Sequence, residues 1–239
     1  AGDGAILLTC PAGTRLELSF DRAISEFDLA DRLMYPLHYL IVVVAVLVSA
    51  DMLVGEIQNR TAYLLLPNPV KRTTIVLSKL FASVIIGTTT LIVFYLTVSC
   101  LSFFTLGVVP RFMTVSFGFS ALYFLACTSA SYALSSCLKT STGAVVLSFL
   151  LLMVISPISQ SVSIRYGLKP WFLPSFAGEC ITTSLRIEDY PEDIVDTSGS
   201  VPYYQFYPNP ELSIIVLTLY SAVLCGLSIA VFRWRDIKE

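Results

Sequence analysis

Arg60, Lys71, Arg72 and Lys79 stand with Glu56 in a short polar stretch, residues 56–79, set between two long apolar runs. The chemistry open to this set is ionic and mechanical. Glu56 and Arg60 are four residues apart, a spacing at which side chains pair on a helix surface. Arg72 and Lys79 offer cations to an acidic partner or to anionic lipid. Between them, Leu66-Pro67-Asn68-Pro69 stops a helix, because proline lacks an N–H and disfavours helix at the residue before it. The stretch reads as a helix end, a stiff elbow and a basic start to the next helix, so that a push on the elbow moves both neighbours together.

Other residues able to do chemistry are sparse. His38 is the single histidine, which leaves no basis for a multi-histidine metal site or a His-based relay; it reads as packing at the end of an apolar run. No G-x-x-x-x-G-K-[ST] phosphate loop occurs, so the chain is not expected to bind ATP itself. Asp51 is a carboxylate at the inner end of an apolar run, where a charge inside the bilayer would be costly, and it reads as the point where that helix leaves the membrane. Glu188, Asp189, Glu192 and Asp193 gather acid, but their spacing fits no specific calcium loop and they read as a solvated turn.

The elements that must position these residues follow from composition. The 239 residues are 55% hydrophobic and 13% charged, with mean hydropathy +0.76; soluble domains carry about 25% charged residues. This is the composition of a membrane protein, and a net charge of −2 gives no case for nucleic-acid binding. Spans are expected at residues 36–53, 75–106, 117–138, 144–162 and 212–232, each at or beyond the roughly 20 residues a bilayer requires. The second is too long for one straight crossing, so its start should protrude. In the third, Ser129, Ala133 and Cys137 recur every fourth residue, a ridge that lets another helix approach. The short basic loops, with Arg60, Lys71, Arg72, Lys79 and Lys139, and the tail with Arg233, Arg235 and Lys238, belong on the cytoplasmic side by the positive-inside rule. Residues 1–33 and 160–211 then lie outside. The first of these should hold a hairpin of residues 5–10 and 15–20, alternating in polarity, then a short amphipathic helix over 25–33. The second is rich in aromatics, Trp171, Phe172, Tyr190, Tyr203, Tyr204, Phe206 and Tyr207, as suits a membrane–water interface. Cys10 and Cys180 are the only cysteines this topology places outside, which makes them a candidate disulfide; Cys100, Cys127, Cys137 and Cys225 fall in spans.

The elbow also resembles the signature of type-2 permeases of ATP-binding-cassette exporters. Glu56, Thr61, Leu64, Leu65, Pro69, Val70, Arg72, Ile75 and Lys79 stand at matching places in one ungapped register. Arg60 and Ser78 replace the usual glycines, and Pro67 with Asn68 stiffens the elbow further. The resemblance implies an all-α, polytopic permease domain over residues 34–239, with Glu56, Arg60, Thr61, Pro67, Pro69, Arg72 and Lys79 forming the surface that couples to an ATPase. It implies no cofactor on this chain, ATP and Mg on a partner ATPase subunit, a second permease chain completing the pathway, and a multi-pass protein of the plasma membrane with a cytoplasmic C-terminus. Such permeases have six spans, so a first span is expected upstream of Ala1, and short re-entrant helices are expected before the last span. Two other classes compete with transport: a membrane anchor or assembly subunit of a larger complex, and an intramembrane enzyme, which the lack of a His-based set disfavours.

Overall fold

The computed structural model describes residues 6–9, 15–18, 26–58, 72–107, 109, 112–138, 140–196 and 203–234. Strands β1 (Ile6–Thr9) and β2 (Arg15–Leu18) pair antiparallel with Ile6 opposite Leu18 and Thr9 opposite Arg15, the expected hairpin. The described residues are mostly helical: α1 (Glu26–Gln58), α2 (Arg72–Leu106), α3 (Met113–Cys137), α4 (Ser141–Phe149), α5 (Ser156–Arg165), α6 (Pro174–Gly178), α7 (Cys180–Thr183) and α8 (Pro210–Trp234). A π-helical turn, Leu150–Ile155, joins α4 to α5. A 3-10 turn, Ser184–Asp189, follows α7, and a small ladder of β3 (Ile194–Asp196) and β4 (Tyr203–Gln205) precedes α8.

Five helical stretches are long and apolar enough to cross a membrane. They fall where the hydrophobic runs placed them. One boundary differs from expectation: the amphipathic segment and the first span form a single helix, α1, running through Pro36. A proline deletes one backbone hydrogen bond. Met34, Leu37 and Ile41, all fully buried on either side of it, hold the two segments in line.

The bundle is built around α3, which packs against α1, α2, α4, α6, α7 and α8. Of the five spans α3 has the lowest mean hydropathy and the largest buried share. That inversion is the physics of a bilayer solvent: lipid competes with apolar side chains for apolar contact, so close packing and hydrogen bonds hold the helices together. Ser116, Ser120, Thr128, Ser129, Ser131, Ser135 and Ser136 of α3 are all buried. Of the small-residue ridge, Ser129 and Ala133 are buried whereas Cys137 is exposed. Outward faces carry the large apolar groups instead, such as Phe81, Ile85, Val93, Leu96 and Phe104 on α2.

Specific bonds fix the register. Tyr95 of α2 shares its hydroxyl with Ser116 (2.8 Å) and Ser120 (2.7 Å) of α3, and Ser83 meets Tyr132 at 2.8 Å nearer the other end of the same pair. Between these, Gly87 lets the helices touch: a Cβ there would fall 1.9 Å from Cζ of Phe124. On the exposed face of α2, Thr89, Thr90, Thr97 and Thr105 each donate to the carbonyl four residues back, at 2.8 to 3.0 Å.

Candidate functional site

The elbow falls between the end of α1 and the start of α2. Glu56 lies in the last turns of α1, and Arg72 opens α2, with Lys79 two turns further on and half-buried. Arg60, Thr61, Pro67 and Pro69 lie outside the described residues. The helices on either side, α1 and α2, pack against each other. At 35 residues, α2 is roughly 52 Å long, against a hydrocarbon layer of about 30 Å. The helix is thus longer than one straight crossing, as its apolar run suggested.

At the opposite end of α1 the chain builds a second feature, which the sequence reading placed only in outline. Helices α6 and α7 form a cap laid against α1, α3 and α8. They are short, and their apolar side chains Phe176, Ala177 and Ile181, with Leu185 of the 3-10 turn, are almost wholly buried, so tertiary packing rather than helix propensity holds them. Gly178 sets how closely the cap approaches. A Cβ there would lie 2.8 Å from Cε1 of His38 and 2.9 Å from Cε2 of Tyr123. Those two rings stack at 4.5 Å between centroids, and Tyr123 Oη lies 2.9 Å from His38 Nε2. His38 is thus a packing partner across 85 residues of sequence, as its isolation suggested, and its partner could not be named from sequence.

Polar groups tie the cap down at several points. The Ser116 hydroxyl donates to the Ile181 carbonyl at 2.6 Å. Tyr190 donates to the Pro208 carbonyl, and burial pushes its hydroxyl up to about 12, so it remains a donor. Cys180 carries a free, buried thiol, 3.1 Å from Ser213 Oγ at the start of α8. Cys10 lies outside the described residues, and with it the disulfide expected between the two. Of the acidic turn, Asp193 bridges Lys169 Nζ at 2.7 Å and the backbone N–H of Tyr207 at 2.8 Å; it anchors the ladder before α8 instead of standing free in solvent.

Under the cap, beside α1 and α5, is a cavity of about 450 Å³. Glu179 faces it and accepts a 2.5 Å hydrogen bond from Gln160 Nε2 of α5. Burial holds the Glu179 carboxyl above its ordinary value, with the Gln160 bond acting in the opposite direction. Tyr35, Tyr39 and Tyr207 supply aromatic walls. Sequence reasoning missed Glu179. Its one signal was a lone carboxylate in the otherwise uncharged run from residue 170 to 185. Among the described residues no group of His, Cys, Asp and Glu is arranged to hold a metal ion.

Comparison with known proteins shows a family likeness. No curated protein matches the chain, but a family model described as ABC-2 family transporter protein matches residues 10–174. The matched region includes the elbow and four of the five candidate spans, and it stops where the cap begins. With more than half of its length matched and its helices arranged as a bundle of membrane spans, this chain is a multi-pass membrane protein of the ABC-2 transporter family.

Proposed function

We propose that the chain is the membrane-spanning permease subunit of an ATP-binding-cassette exporter, working with a separate ATPase that carries the ATP and Mg. The observation that carries this reading is the elbow motif of residues 56–79, in register with the family signature and inside the matched region. Residues 59–71 join two long membrane helices, so force applied there acts on both. In this reading the elbow and the C-terminus are cytoplasmic, the cap faces outward, the protein resides in the plasma membrane, and two permease chains line one pathway. The exposed apolar faces of α2 and α4 supply area for lipid and for that second chain. The chain itself performs no catalysis; transport follows alternation of its two openings as the ATPases close.

Glu56→Lys reverses a charge that the partner would meet, and Pro69→Gly softens the elbow. Both variants are expected to insert normally but to show weakened ATPase docking or reduced substrate-stimulated hydrolysis in reconstituted membranes. Wild-type docking and transport by both variants would make the elbow an ordinary loop and favour an anchor or assembly subunit.

A further inference from the structure

The cavity under the cap has the makings of a ligand site separate from the elbow. Its volume of about 450 Å³ lies within the roughly 300–1,000 Å³ of small-molecule pockets. It lies at the far end of α1 from the elbow: His38 and Glu56 are separated by roughly 27 Å of helix. Its charged lining is one acid, Glu179, and one base, Arg186 of the 3-10 turn. Glu179 brings a carboxyl whose described side-chain partner is a neutral amide, Gln160. A carboxylate held away from water with only a neutral partner is costly. A cation brought into the cavity would offset that cost. Tyr35, Tyr39 and Tyr207 line the same cavity, with Tyr35 and Tyr39 edge to face at 6.0 Å. Electron-rich ring faces attract bulky, weakly hydrated cations. A small, strongly hydrated metal ion would need several oxygen ligands, and no such group of ligands is found among the described residues.

We infer that this cavity binds an organic ammonium group, its charge facing Glu179 and its alkyl substituents against Tyr35, Tyr39 and Tyr207. Gln160 positions the carboxyl by bonding one oxygen and leaves the other to the ligand. Binding draws on the ionised carboxylate, so the cation competes with the proton that burial favours on Glu179. Affinity therefore rises with pH while the free protein still holds that proton. The inference does not depend on ATPase coupling, since the site and the elbow lie at opposite ends of the bundle.

The test uses the full chain in nanodiscs of phosphatidylglycerol, which carry no choline headgroup, titrated with choline by calorimetry. Saturable binding is expected. The neutral isostere 3,3-dimethylbutan-1-ol should bind more weakly by on the order of tenfold, the loss of an ammonium–aromatic and ammonium–carboxylate contribution. Glu179→Gln should reduce choline affinity by on the order of tenfold and abolish its increase with pH. Tyr39→Phe should retain binding and Tyr39→Ala should weaken it. Competition by dihexanoylphosphatidylcholine at concentrations below those of choline would identify the source as a lipid headgroup; choline binding without such competition would identify a soluble amine. The isostere comparison needs no variant, so it decides the matter even if Glu179→Gln fails to fold. Equal binding of choline and its neutral isostere, or no binding of choline, would overturn the inference.

Discussion

Gly178 shows how much one missing methyl controls at the cap. The space a Cβ would take is already filled by the His38 and Tyr123 rings, and stacked rings have no flexible end to swing aside. Gly178→Ala is therefore expected to cost about 1–3 kcal/mol by overpacking, read as a lowered midpoint of thermal unfolding in detergent. Gly226→Ala is the matched control. A Cβ at Gly226 meets nothing within 4 Å, and exchanging glycine for alanine inside a helix gains about 1 kcal/mol, so that variant should be no less stable than wild type. At this scale the sequence is a poor guide. His38 was visible as a lone histidine, but Tyr123, which meets it, stands 85 positions away, and no local pattern links them. The acids that drew attention, Glu188 to Asp193, include a structural anchor in Asp193, while the cavity carboxyl at Glu179 passed unnoticed among uncharged neighbours.

Among elements, the legible part was the apolar runs, because an 18-residue stretch without charge has few fates other than crossing a bilayer. The path of the chain between them was less legible. The π-helical turn at Leu150–Ile155 lies in a uniformly apolar segment with no periodicity to betray it. It immediately precedes Ser156 and Pro157, and a proline's ring crowds the carbonyl four residues before it; a wider turn relieves that contact and rotates α5 relative to α4. Gln160 on α5 then reaches Glu179 between α6 and α7, joining the fourth span to the cap. This junction should respond to pH. Burial raises the Glu179 carboxyl above its unfolded value, so the folded state binds the proton more tightly than the unfolded chain does. Stability is then fullest below the ordinary carboxyl range and declines as pH rises from there through the raised folded value. Glu179→Gln cannot titrate. The melting temperatures of wild type and variant, compared across this range, should diverge with rising pH, the variant becoming relatively more stable; parallel curves would remove Glu179 from the pH response.

For the whole molecule, the distribution of polarity is the governing fact: serine-rich α3 at the centre, phenylalanine, leucine and isoleucine outward. That arrangement was only half readable from sequence, which showed the spans but not that the least apolar of them would be the hub. Orientation is a whole-molecule property as well. A single cysteine introduced as Thr140→Cys, in a variant otherwise free of cysteine, should react with a membrane-impermeant maleimide only from the cytoplasmic side, and Ser198→Cys only from outside. Thr140 is exposed at the start of α4, so the reagent has access to it. The reverse labelling pattern would invert the bundle and remove the elbow from reach of a cytoplasmic ATPase. The threonines on the outer face of α2 bear on what such an ATPase could accomplish. Each of Thr89, Thr90, Thr97 and Thr105 shares a carbonyl with the helix's own ladder, a bond that hides its hydroxyl from lipid and that loosens and bends the local turn. Repeated along the rod, these sites give α2 distributed compliance. A helix able to bend at several such turns would pass a displacement at Arg72 along its length as curvature and not as a rigid tilt.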